Sequence, residues 1–309
     1  MSLLVVAAAL AALVVMVAWA KIHPFLAFVL VAGAAALALG IPPGDVPAAI
    51  KKGIGGILGD LVIVIVCGAM LGKLVVESGA AQKIATVLVT AFGRERMSWA
   101  MALTGFVVGI PLFYGVGFVL LVPIIFAVTS RYGLPPLVVG LPALAAMSVA
   151  HGLLPPHPAP TALVAQFGAD LGRTLLYGFL IAIPAIVIAG PLFARTLAGI
   201  QARPLDAFTA RPLPEDRLPG ALVSFAAALL PAILLLAASG AGFVTDPGSP
   251  AAGAIRFVSD PDVVMLVAVA FATVTLGLAR GRSLADVMGV YGSAIADVAS
   301  TLLVIAGSG

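Results

Sequence analysis

Apolar stretches of membrane-spanning length follow one another along almost the whole chain, and this limits the fold more than any motif does. A hydrocarbon core of ~30 Å takes about 20 helical residues to cross. Segments of that kind stand near residues 3–20, 22–41, 57–76, 98–128, 136–165, 174–197, 219–243, 261–279 and 285–309. With 9% of residues charged and a mean hydropathy of +1.22, the chain lacks the ionic side chains to cover a water-facing surface. The segments are too long and too evenly apolar for the alternating strands of a membrane barrel. The expected fold class is an all-α polytopic membrane protein. The run 3–20 lacks a basic leader and passes straight into a second apolar segment, so it reads as a first span and not as a signal peptide.

The basic residues, which leave a net charge of +3, are scattered through connecting segments and form no nucleic-acid surface. The single cysteine, Cys67, sits inside an apolar run, which leaves no intrachain disulfide and no thiolate metal cluster. The richest basic loop carries Arg195, Arg203, Arg211 and Arg217, and the positive-inside rule puts it in the cytoplasm. If one of the two longest segments re-enters instead of crossing, Lys21, Lys83, Arg94, Arg96, Arg280 and Arg282 fall on the same side. The loop 244–260, with Asp246 and Asp260, then lies outside.

Two segments cannot be straight helices. The stretch 98–128 is interrupted by GIPLFYGVG (109–117), and 136–165 by HGLLPPHPAPT (151–161). Proline removes a backbone donor and glycine loosens the chain. In hydrocarbon an unpaired backbone group is costly, so irregular chain persists only where it lines a cavity or is buried in protein. Which of the two re-enters stays open; the division adopted takes 98–128 as a re-entrant hairpin and 136–165 as a broken helix.

A weak repeat runs through the chain. Pro24 matches Pro261, and Leu39-Gly40 matches Leu276-Gly277, at a constant offset of 237. The next helices end alike, with Gly68 on Gly307. Residues 1–200 would form a first repeat, 201–218 a cytoplasmic linker, and 219–309 an incomplete second repeat of opposite orientation. Inverted repeats with broken helices meeting near the bilayer midplane belong to secondary transporters, and suggest alternating access. On this reading the chain is expected to be truncated at its C-terminal side.

Broken helices expose N–H groups at one start and C=O groups at another end, and so attract a carboxylate or a cation. Within the motif, His151 and His157 either donate to an anion, take the coupling proton, or bond a neighbouring helix. Thr161 follows Pro160 and is placed to start a half-helix with a free hydroxyl; Ser148 lies one turn before His151. In the first break, Pro111, Tyr114 and Gly115 would face the second, with Tyr114 either capping a sugar hydroxyl or serving structure. Asp60 and Asp297 would stand near the starts of equivalent helices, and Asp60 is a further candidate for proton coupling. No metal site is expected: the two histidines lack the spacing of HExxH and have no third ligand.

The segments HGLLPPHPAPTALVAQFGADLGRTLLYG (151–178), CGAMLGKLVVESGAAQKIA (67–85) and GIPLFYGVGFVLLVPIIF (109–126) resemble the gluconate permease (gluconate:proton symporter) family. The resemblance runs from about Phe25 to the end. It implies proton-coupled uptake of gluconate or a related sugar acid across the bacterial inner membrane. It also implies a fold similar to the wider ion-transporter group, with inverted repeats and re-entrant hairpins. Two positions depart from the family pattern: Ala159 stands where the block HGLxPPHPGPT has glycine, and Gly115 stands where many relatives carry an acidic residue.

The resulting expectation is a secondary active symporter for a small carboxylate sugar acid and protons, embedded in lipid, without a cofactor, with homo-oligomerisation open. The alternatives are a sodium-coupled di- or tricarboxylate carrier and a non-functional permease fragment. An intramembrane enzyme is disfavoured, since HExxH, an aspartate-rich diphosphate site and GxGD do not occur.

Overall fold

Every regular element in the computed structural model is helical among the residues it describes, which are 2–200, 213–244 and 249–309. Arg203, Arg211, Asp246 and most of the expected linker 201–218 lie outside the described residues. Seven of the helical stretches are long and apolar enough to cross a membrane.

Helix α1 (Ser2–Val14) continues through a π-helical turn at Val15–Trp19. Helix α2 (Pro24–Ala38) has proline in its first turn and His23 as N-cap, whose Nδ1 accepts the Phe25 amide at 3.3 Å. It stops short of the expected 22–41 because Gly40, at φ +90°, turns the chain and Pro42 and Pro43 follow. Helix α3 (Val46–Glu77) has 32 residues and begins well before the expected start at 57. Lys51, Lys52 and four glycines dilute the hydropathy of its first half without breaking it. Asp60 and Asp297 therefore sit mid-helix, on exposed faces, and not at helix starts as the sequence reading had them.

Helix α4 (Ala80–Phe92) occupies what reads in sequence as a polar connection. It buries Ala80, Ala81, Ile84, Ala85, Leu88 and Val89 on one face and leaves Gln82, Lys83, Thr86 and Thr90 on the other. Helices α5 (Met97–Gly109) and α6 (Tyr114–Tyr132) are the two arms of the interrupted 98–128 stretch. Arg94 Nε donates to the Tyr132 carbonyl at 3.0 Å, so α6 ends beside the point where α5 begins. Helices α7 (Pro136–Leu153) and α8 (Pro158–Phe167) flank the second break. Helix α5 runs parallel to α7: Ser98 Oγ donates to the Val138 carbonyl at 3.1 Å, Gly105 abuts the Ala143 carbonyl, and Gly109 abuts Met147 and Ala150.

Helix α9 (Leu171–Val187) is capped by Asp170, which accepts the Arg173 amide at 2.7 Å, and passes through a π-helical turn at Ile188–Leu192 into α10 (Phe193–Thr196). It returns antiparallel to α7, with Gly178 against Leu153 and Gly190 against Pro142. Helices α11 (Ala221–Val244), α12 (Pro250–Val258), α13 (Pro261–Ala272) and α14 (Leu284–Gly307) complete the chain. Like α2, α13 starts with proline in its first turn under a polar N-cap, here Asp260.

Two compact units result. One combines residues up to Val62 with Ala296–Gly309; there Gly307 lies against Phe25 and Phe28, and Gly53 against the Gly309 backbone. The other is Ile63–Ile295. Its core joins Leu71, Leu74, Ile84, Met101, Leu112, Leu121, Met147 and Met265.

Candidate functional site

The two helix breaks meet inside the larger unit, and histidine joins them. Helix α7 ends at Leu153 because its next residues lead into Pro155-Pro156, whose peptide bond is cis. His157 is the N-cap of α8, with Pro158 in the first turn. Its buried imidazole places Nε2 2.9 Å from the carbonyl oxygen of Gly109, the last residue of α5. A carbonyl only accepts, so Nε2 carries the hydrogen. The His151 ring lies 4.4 Å from the His157 ring, centroid to centroid, and 6.0 Å edge-on from Phe113, the N-cap of α6. His151 Nδ1 is buried and has no hydrogen-bond partner among the described residues.

Each break rests on a glycine of a neighbouring helix. A Cβ at Gly72 of α3 would lie 2.7 Å from the Pro111 carbonyl oxygen, and one at Gly178 of α9 would lie 2.8 Å from that of Leu153. These are closer than side-chain carbons approach backbone oxygens, so the seats require glycine.

The starts of the two half-helices differ in what they offer. In α8 both Pro158 and Pro160 lack an N–H, and Thr161 N–H already bonds the His157 carbonyl at 3.1 Å, which leaves the amide of Ala159. In α6 the amides of Tyr114, Gly115 and Val116 precede the first bonded one, Gly117 N–H to Phe113 O at 2.9 Å, and no side chain caps them. Gly115 is exposed, with open space where a Cβ would stand. Helix α6 is thus the stronger anion end.

Of the residues singled out in sequence, Pro111 and His157 line one small cavity with Ile110, Phe113, Pro156 and Met265, and the His151 ring lies tilted against that of His157. That cavity encloses about 10 Å³, room for about one water molecule. Thr161 is buried but does not begin its half-helix: α8 starts three residues earlier, at Pro158, because proline's fixed φ suits a first turn. Its hydroxyl donates back to the His157 carbonyl at 2.7 Å. Tyr114 opens α6 and stacks on Phe118 at 6.4 Å, and Ser148 is exposed on α7. Asp60 belongs to the other compact unit. No group of three or more His, Cys, Asp or Glu residues that could hold a metal occurs among the described residues. The seats Gly72 and Gly178 went unread in sequence, since nothing in the local pattern separates them from the chain's other glycines; Gly109 opens the first break, GIPLFYGVG, but its role as acceptor for His157 was not legible there.

The chain is similar to known permeases along its whole length. A family model described as GntP family permease matches residues 1–309. The chain is 42% identical to a high-affinity gluconate transporter of Escherichia coli K12 and 41% identical to the Gnt-II system L-idonate transporter of the same strain. In both cases all of the chain is matched to 71% of the relative. It is 37% identical to a gluconate permease of Pseudomonas aeruginosa, over 96% of the chain and 67% of the relative. No solved structure matches.

Proposed function

The chain belongs to the GntP permease family, a multi-pass protein of the bacterial inner membrane and not an enzyme, and from that premise we propose that it carries gluconate or a closely related sugar acid in symport with a proton. The observation that carries this reading is the meeting of the uncapped α6 start with the His151–His157 pair. The substrate carboxylate takes the free amides of Tyr114, Gly115 and Val116. His151, whose Nδ1 lacks a partner among the described residues, bonds the bound acid or holds the coupling proton. Tyr114, Thr161 and Ser148 stand as candidates for the sugar hydroxyls, and Asp60 as a second proton carrier. The chemistry fits a monoanion: one carboxylate needs one anion end, and one proton makes the transported pair neutral.

A cavity of about 10 Å³ is far below the ~300 Å³ of a small-molecule site, so loading requires the two breaks to part. An alternating-access cycle supplies that motion. Support for the repeat behind it comes from the shared proline starts of α2 and α13 and from Asp60 and Asp297, which are also 237 residues apart. The return of α6 to the origin of α5 supports 98–128 as a re-entrant hairpin.

Uptake of labelled gluconate into proteoliposomes tests the proposal. An inward proton gradient should drive saturable uptake, an uncoupler should abolish it, and L-idonate should compete. Uptake that follows a sodium gradient and ignores the uncoupler would assign the chain to sodium-coupled carriers instead.

A further inference from the structure

A second hollow, of about 180 Å³, lies between α4 and α6, well apart in sequence from the helix breaks. Its floor is alanine, valine and isoleucine from both helices, and its rim carries Gln82, Thr86, Thr90, Arg131, Tyr132 and Glu215. Its depth follows from α4. Thirteen helical residues extend only ~20 Å, too little to cross ~30 Å of hydrocarbon. Lys83 lies in its second turn, and Arg94, Glu95 and Arg96 follow its end. Near its start Gln82 exchanges two 2.8 Å hydrogen bonds with the Leu213 backbone, and just past its end Arg94 bonds the carbonyl of Tyr132, the last residue of α6. A short helix with Lys83 near its start and Arg94, Glu95 and Arg96 just past its end suits the bilayer interface, where the hollow would open at headgroup level.

The polar groups around it divide by role. Arg131, in the last turn of α6, lies 5.5 Å over the Tyr132 ring with no carboxylate in ion-pair range among the described residues. With the hydroxyls of Thr90 and Tyr132 it forms a donor side suited to a phosphate. Glu215 is an acceptor. So is Thr86, whose hydroxyl hydrogen is already given to the Gln82 carbonyl at 3.0 Å, leaving its lone pairs. A ligand with a phosphate, a neighbouring ammonium that still has N–H donors, and an apolar tail matches this set. A plain anion would face Glu215 unpaired.

We propose that the α4–α6 hollow seats the zwitterionic head of a membrane phospholipid, with its phosphate at Arg131 and its primary ammonium at Glu215. The occupant is a lipid and not a soluble phosphate because an apolar floor lies beneath a charged rim at interface depth.

The test is thermal unfolding of the purified chain in detergent supplemented with phosphatidylethanolamine, phosphatidylcholine, phosphatidylglycerol or free phosphoethanolamine. Phosphatidylethanolamine should raise the midpoint by about 2–4 °C more than the other three. Glu215→Gln should remove its advantage over phosphatidylglycerol. Arg131→Gln should remove the effect of every phospholipid, and Arg131→Lys should keep it. If Arg131→Gln does not fold, Thr90→Val reads the same side and should halve the shift. Equal stabilisation by phosphatidylglycerol in the parent chain overturns the proposal, as does an unchanged preference in Glu215→Gln. Equal stabilisation by free phosphoethanolamine overturns the lipid source.

Discussion

His157 Nε2 donates to the carbonyl oxygen of Gly109 across 2.9 Å, which fastens the start of one half-helix to the end of another. The end of α5 would otherwise leave that carbonyl without a helical partner in an apolar interior. One imidazole thus satisfies a helix terminus and sets the spacing between the two breaks. An opening that parts the two breaks to admit a substrate must loosen this bond.

Replacing His157 should therefore separate stability from transport. His157→Ala strands the Gly109 carbonyl and empties a buried site, and should cost about 1–3 kcal/mol of stability. His157→Gln keeps a donor on a flexible stem and should recover much of that in thermal unfolding. Both variants should insert normally and lose saturable uptake. Unchanged uptake in His157→Gln would confine this residue to packing.

The glycine seats make a sharper stability test. A side chain at Gly72 or Gly178 meets backbone oxygen at 2.7 or 2.8 Å, which rotamer changes do not relieve. Gly72→Ala and Gly178→Ala should each cost about 1–3 kcal/mol through overpacking. Gly289, inside α14 with open space around it, is the control, and Gly289→Ala should gain about 0.5–1 kcal/mol from helix propensity. Unfolding midpoints of the three variants decide the matter; equal shifts would refute the seating of the breaks.

What sequence revealed of this architecture depended on where each signal resides. The break at 151–161 was plain because proline announces lost donors, and the apolar spans because hydropathy is additive along the chain. Helix α4 stayed hidden because its hydrophobic face is spread over a helical period among Gln82, Lys83 and Thr86, too short and too polar for a span. The front of α3 was missed because its glycines lower hydropathy while the helix persists. The partner of His157 was illegible for a different reason: it is a main-chain carbonyl, and backbone atoms leave no mark on residue identity. Likewise the closeness of Gly72 and Gly178 to the breaks is a tertiary fact carried by two among 34 glycines.

Asp60 poses a question of coupling and not of binding. It stands exposed in the middle of α3 among apolar neighbours, where a carboxylate is costly unless it serves an ion path. Asp60→Asn keeps the shape and removes the titration. It should reduce uptake driven by a proton gradient by about tenfold or more, while exchange of labelled for unlabelled gluconate at equilibrium continues. Loss of both activities together would place Asp60 in the fold or in substrate binding.

The anion end of α6 gives the most direct test of where the carboxylate sits. Gly115→Pro deletes one of three free amides, and proline is tolerated in a first helical turn. Nothing lies within 4 Å of the Cβ position, so the first ring carbon has room. Gly115→Ala keeps the amide and serves as control. Losing a hydrogen bond to a charged group costs about 1.5–3 kcal/mol, so KM for gluconate should rise at least about tenfold in the proline variant. In the alanine variant KM should stay within about twofold, since every donor remains. If Gly115→Pro transports gluconate with the parent KM at normal expression, the carboxylate is bound elsewhere, and the half-helix start at Tyr114 serves the fold alone.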